Sequence, residues 1–194
     1  LADDEEGGGN EADVHRLAKA SLPLLRELRG NVFVERKMEK KLRNGIVFTG
    51  RIDILDLTLK PVPRIVDWKT TSDMKYAKTE EELATNIQML AYAYEAWCAT
   101  PAPEVLVAHA VIPTRSGAFR YTETAVPAKA IMDGWTRIQD ITDEMREKAR
   151  VASPDDVTPT LSACSAYGGC AFRDTCKALK GAVVQIPRSR FPAL

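Results

Sequence analysis

The chain has 194 residues, 45% apolar and 28% charged, a size and balance that suit one globular domain with a proper core. Lys+Arg and Asp+Glu both total 27, so a zero net charge offers no global attraction to a polyanion, and any nucleic-acid contact falls to local basic surface. No apolar run approaches the about 20 residues of a membrane span and no basic-then-apolar leader is visible, so the expectation is a cytoplasmic protein without a membrane partner.

Residues 1–12 are acidic and glycine-rich and predict a flexible lead-in. The chain begins at Leu1 rather than Met, which is consistent with sequence missing before it. From Asp13 to Arg29, Val14, Leu17, Ala18, Leu22, Leu25 and Leu28 recur at helical spacing, with Pro23 as a kink or a break. His15 lies near the start of this helix, where a lone histidine is more often structural or surface than a ligand. Val32 to Leu42 and Ile46 to Leu57 read as an antiparallel hairpin turned at Arg43-Asn44-Gly45. Arg36, Lys37, Lys40, Lys41 and Arg43 on it would serve as a phosphate-facing patch or, more plainly, as a solvated edge.

In the second strand, alternation places Ile46, Phe48, Ile52 and Ile54 on one face and Arg51 and Asp53 on the other. A mid-strand carboxylate among apolar neighbours is costly unless paired or bound to a cation, and Glu35 poses the same question on the first strand. Ile65 to Thr70 predicts a third strand, in which Asp67 and Lys69 share a face. Thr79 opens a helix, with Glu82 three residues on as a capping box, running to about Trp97. Leu83, Ile87, Leu90, Tyr94 and Trp97 make its expected core stripe. Gln88 and Tyr92 lie nearly opposite, on a solvated face or turned toward a substrate.

Val105 to Pro113 and Ala118 to Val126 predict two more strands, turned at Ser116-Gly117, with His109 as a satisfied or exposed strand residue. Pro127 starts a long amphipathic helix with Ile131, Trp135, Ile138, Ile141 and Met145 inward. Pro154 and Pro159 lead to Cys164, Cys170 and Cys176, while Cys98 stands alone on a helix, where core packing is its plainer reading. Without a secretion signal these thiols suggest a metal or cluster site before a disulfide framework.

If the Asp53 strand lies beside the Asp67 strand, two carboxylates and an ammonium converge. That is the minimum set for holding a divalent cation against a phosphodiester and steering a water at phosphorus.

The order His15, Glu35, Gly50-Arg51-Ile52-Asp53, Asp67-Trp68-Lys69, Gln88-Met89-Leu90-Ala91-Tyr92 and clustered cysteines resembles the RecB-like branch of the PD-(D/E)XK nuclease superfamily. That branch includes the RecB nuclease domain and CRISPR-associated RecB-like exonucleases. The resemblance runs from about His15 to Cys176. It implies an α/β fold with a restriction-endonuclease-like core, a central mixed sheet flanked by helices, over residues 13–158. A cysteine-cluster segment, 159–180, would pack on that core and a tail, 181–194, would follow. It further implies that Asp53, Asp67, His15 and the backbone carbonyl of Trp68 hold Mg²⁺ or Mn²⁺, with Glu35 matching a further acidic position. Lys69 would orient the attacking water, and Gln88 and Tyr92 would lie beside the DNA and the lysine.

Cys164, Cys170 and Cys176 match in place the ligands of a [4Fe–4S] cluster in such nucleases, with five residues between the first two where two are common. Either the fourth ligand lies before Leu1, or Cys98 substitutes, or the cluster is absent, and zinc is the rival metal. The expected activity is hydrolysis of single-stranded or duplex DNA ends, as an exonuclease in recombination, repair or phage/CRISPR DNA processing, with a helicase or recombination partner. The alternative is a DNA-end-binding or scaffold module with an idle site.

Overall fold

The computed structural model describes residues 30–58, 61–114 and 119–151, with the single positions His15, Ala18, Lys19, Leu22, Arg26, Leu28, Cys164 and Cys176. By internal contacts the chain forms two units, Leu1–Asp143 and Glu144–Leu194. The lead-in, Cys170, the tail and most of the cysteine segment lie outside the described residues, as does the Ser116-Gly117 turn.

The first unit is built on a five-stranded mixed sheet in the order β1-β2-β3-β4-β5. Its strands are β1 Val32–Lys41, β2 Val47–Asp56, β3 Arg64–Thr71, β4 Glu104–Pro113 and β5 Arg120–Pro127. All neighbours are antiparallel except β3 and β4, which are parallel. A parallel pair needs a crossover, and here it carries a 3₁₀ turn at Met74–Tyr76 and two helices, α1 Glu80–Ala84 and α2 Ile87–Ala99. A third helix, α3 Ala128–Lys148, follows β5. At the β1–β2 turn Gly45 takes φ 84°, a left-handed conformation that glycine adopts without strain, and Asn44 Oδ1 accepts from the Ile46 N–H at 3.0 Å.

One long helix from Thr79 to Trp97 was the expectation, and the structure breaks it. Thr79 and Glu82 do form the capping box of α1. Asn86 then caps a new helix, its side chain accepting from the Gln88 and Met89 N–H groups. The new start re-aims α2. Met89, Leu90, Ala91, Tyr92, Ala93, Glu95 and Ala96 are all buried, whereas Ile87, placed in the core stripe by periodicity, is exposed. The expected inner face of α3 holds for Ile131, Trp135 and Ile138, but Ile141 and Met145 are exposed.

Burying apolar area is the main driving force, and the sheet has a cluster on each face. On one face Met38, Ile52, Leu55, Ile65 and Val107 pack with residues of all three helices. On the other, Ile54, Val66, Ala108 and Ala110 pack with Leu28, Trp68 and Phe119. Ile52 and Ile54 therefore serve opposite faces, contrary to the alternation expected for β2. The cause lies across the ladder. Val34 pairs with Ile54 and Arg36 with Ile52, but Glu35 and Asp53 between them do not pair. Glu35 has φ 53°, a left-handed conformation costly for a residue with a Cβ, and the pleat resets there.

Candidate active site

The reset at Asp53 is what turns its carboxylate toward β3. The β2–β3 register covers Ile54, Leu55 and Asp56 only, so the two strands part at Asp53 and Asp67. Across that opening Asp53 Oδ2 accepts from the Trp68 backbone N–H at 2.7 Å. The Trp68 side chain lies on the opposite face, tilted against Phe119. Of the Trp68 backbone it is the N–H that touches Asp53; its carbonyl was the atom expected at the cation.

Asp67 is buried on the helix side of the sheet. Its Oδ1 accepts from Gln88 Nε2 at 3.1 Å, and the same amide donates to the Tyr92 hydroxyl at 3.2 Å. Gln88 Oε1 accepts from Lys69 Nζ at 3.3 Å. Both amide hydrogens and the amide oxygen are thus committed, which fixes the orientation of the side chain. Lys69 Nζ also lies 2.6 Å from Asp67 Oδ2. That approach is a short ion pair, which sets a countercharge at Oδ2. Lys69 is 41% exposed and Asp67 only 3%, so the ammonium joins a buried carboxylate to solvent.

Burial pushes the Asp67 carboxyl above its ordinary range, the hydrogen bond and charge of Lys69 pull it down, and the Asp53 carboxylate pushes it up again. Two carboxylates close enough to repel fit a divalent cation bound through hard oxygen ligands. Among the described residues no group of three His, Cys, Asp or Glu side chains converges as a ready metal cage. Asp53 and Asp67 would hold the ion, and waters and substrate oxygens would fill its shell, the usual habit of Mg²⁺.

Gly50 has a role in this arrangement that its motif alone did not reveal. A Cβ at this position would stand 3.1 Å from the ring of Tyr92. The missing side chain lets the Tyr92 ring approach β2 closely, where its hydroxyl accepts from Gln88. Gln88 and Tyr92 therefore face the sheet and the aspartates, not solvent.

The remaining expected site residues are placed differently. His15 is exposed on helical backbone. Glu35 lies unpaired on β1 between the paired Val34 and Arg36, and its carboxylate is exposed and meets Arg51 at 3.4 Å. Cys164 and Cys176 are free thiols, half-buried, and Cys98 is a free exposed one, which corrects its reading as a core residue. The basic hairpin is largely neutralised. Arg36 and Lys40 both pair with the buried Glu95 of α2, Lys37 with Glu39, and Arg43 with Asp140 and Asp143. The hydrogen bond to Glu95 raises the Lys40 ammonium pKa.

His109 was passed over in the sequence as satisfied or exposed, and the structure corrects this. It is 3% exposed, and its Nε2 has no hydrogen-bond partner. It is the register partner of Asp67 on β4, with Nε2 3.7 Å from Asp67 Oδ2. Burial, then the positive charges of Lys69 and Lys78, lower its pKa to about 4, so the ring is neutral near neutral pH. A signal was present: a histidine in an otherwise unbroken apolar strand, Val105 to Ile112, is costly to bury without a task.

The family model described as the PD-(D/E)XK nuclease superfamily matches residues 3–177. No curated protein matches the chain. Among solved structures the chain is similar to one titled "Crystal structure of SSO0001", at 17% identity and a TM-score of 0.38. That match covers 63% of this chain and 57% of the other.

Proposed function

The chain belongs to the PD-(D/E)XK nuclease superfamily, and from that membership we propose that it is a DNA exonuclease of the RecB-like branch. Membership implies a metal-dependent nuclease hydrolase. The observation that carries the finer reading is the joined group of Asp53, Asp67, Lys69 and Gln88 at the parting of β2 and β3.

In this reading Asp53 and Asp67 hold Mg²⁺ or Mn²⁺. A bound ion of this kind polarises a phosphoryl oxygen and lowers the pKa of a bound water. Gln88 fixes the Asp67 carboxylate by its amide N–H and presents its oxygen to Lys69. Lys69, partly exposed on its flexible stem, turns from Asp67 to the phosphate and offsets the charge that grows in the transition state. Oxygen from water bonds to phosphorus, the bond from phosphorus to the 3′ oxygen breaks, and the leaving oxygen takes a proton from solvent. The products are a 5′-phosphate and a 3′-hydroxyl. The biological setting in this reading is DNA recombination, repair or phage/CRISPR processing beside a helicase or recombination partner.

The resemblance of the cysteine segment extends the reading to a [4Fe–4S] cluster on Cys164, Cys170 and Cys176. Free, half-buried thiols at Cys164 and Cys176 are compatible with it.

Linear DNA labelled at either end and closed-circular DNA labelled internally separate the possibilities when incubated with Mg²⁺ or Mn²⁺. An exonuclease releases short products from the linear substrate and spares the circle. Cleavage of the circle makes the enzyme an endonuclease. Tight binding to ends without cleavage under either ion would support the scaffold alternative and overturn the catalytic reading.

A further inference from the structure

We propose that His109 is a positioning residue for the nuclease site, bracing the Asp67 carboxylate from the β4 side through its Nε2–H. The inference rests on the nuclease reading and adds to it a residue on a strand outside the three motif segments.

Sheet order carries the first part of the argument. Asp67 lies on the middle strand of β2-β3-β4. On the β2 side are Asp53 and the parted strands where a cation would lie. On the β4 side is His109, directly in register. Among the described residues no three His, Cys, Asp or Glu side chains form a ready metal cage. The imidazole reaches Asp67 from β4, the strand on the other side of β3 from Asp53.

The second part is the state of the two facing atoms. His109 Nε2 is buried without a hydrogen-bond partner, and the buried Asp67 Oδ2 that it faces is met by Lys69 Nζ at 2.6 Å. Nε2 and Oδ2 are separated by 3.7 Å, too far for a hydrogen bond and close enough to form one by a small side-chain rotation. Buried polar atoms in native proteins are nearly always satisfied, so an orphaned Nε2 facing a carboxylate oxygen marks a contact made in another state of the site. Lys69 now supplies the countercharge at Oδ2. When it turns to a phosphate, that oxygen loses its neighbour, and the Nε2–H is the donor placed to replace it. With Gln88 on Oδ1 and His109 on Oδ2, the carboxylate plane is then held from both sides. Outer groups that orient a metal-binding carboxylate in this way typically matter about 10–100-fold in affinity or rate.

The test uses the full chain and three variants. His109→Gln keeps an N–H donor at similar reach, while His109→Leu and His109→Met fill the space without one. Cleavage kinetics, Mn²⁺ binding by calorimetry and imidazole nitrogen NMR of the wild type are measured. The expected result is a wild-type ring protonated on Nε2. In His109→Leu and His109→Met, kcat falls about 10–100-fold with little change in KM for DNA, and Mn²⁺ binds more weakly. His109→Gln restores most of both. A wild-type ring carrying its proton on Nδ1 overturns the proposal, whether or not any variant folds. So does wild-type kcat in folded His109→Leu or His109→Met, or a glutamine variant no better than these two. If the wild type neither binds Mn²⁺ nor cleaves DNA, the nuclease reading itself has failed. Normal wild-type cleavage with indifferent variants removes only His109.

Discussion

Gln88→Met tests the clasp on Asp67 with little change in side-chain volume. The substitution removes a hydrogen bond of 3.1 Å to a buried carboxylate and one of 3.2 Å to the Tyr92 hydroxyl. The first is worth about 1.5–3 kcal/mol because its acceptor is charged, the second about 0.5–1.5 kcal/mol. Gln88 is half-buried, so water recovers part of each loss, while the methionine gains some apolar burial. A net destabilisation of about 2 kcal/mol is expected in urea unfolding. For a chain of this size that corresponds to a fall in Tm of roughly 4–8 °C. Asp67 Oδ1 would then have lost its amide donor, and cleavage should fall about 100-fold with folding retained. Gln88→Glu should be worse still, because it sets a second carboxylate against Asp67. Wild-type urea midpoint together with wild-type cleavage in Gln88→Met would refute the clasp.

Gly50→Ala places a Cβ 3.1 Å from the Tyr92 ring, so the ring must give by a few tenths of an ångström. A cost of about 1 kcal/mol and a measurable loss of cleavage are expected, with Gly50→Val worse on both in the same assays. Asp56 is buried and paired with Arg64 at 2.8 Å. Burial pushes its carboxyl up, but hydrogen bonds from Thr58 and Arg64 outweigh it and leave the pKa lowered. Its contribution is therefore present above the unfolded value near pH 4 and lost as pH falls through the lower folded value. Asp56→Asn should flatten stability against pH in that acid window and cost about 3 kcal/mol at neutral pH, both read by urea titration. Anaerobically purified protein should contain iron and acid-labile sulfide in equal amounts, and lose both in Cys170→Ser; zinc without iron would contradict the cluster.

Much of the sheet was legible because strand alternation is a local signal. The β1–β2 hairpin follows from Asn44-Gly45, and Asp67 and Lys69 share a face because residues two apart must. Other features depend on neighbours distant in sequence. The reset at Glu35 and Asp53 sends Ile52 and Ile54 to opposite faces, and it arises from one left-handed residue that no pattern announces. Helical period ran through Thr85 and Asn86 because Asn86 reads as an interior polar residue until its side chain is seen to cap α2. The basic hairpin suggested a phosphate surface, but Glu95 on α2 takes up two of its cations. His109 was missed for the same reason. Its importance lies in its register with Asp67, and a parallel register between residues 42 apart in sequence is invisible to local pattern.

The central claim is that Asp53, Asp67 and Lys69 hydrolyse a phosphodiester with a divalent cation. Single-turnover cleavage of end-labelled DNA by wild type and Lys69→Met, each with Mn²⁺ and with EDTA, tests it most directly. The wild type should cleave with Mn²⁺ and stop with EDTA, and folded Lys69→Met should be slower by about 100–1,000-fold. Cleavage that persists in EDTA, or that Lys69→Met performs at the wild-type rate, would contradict the account.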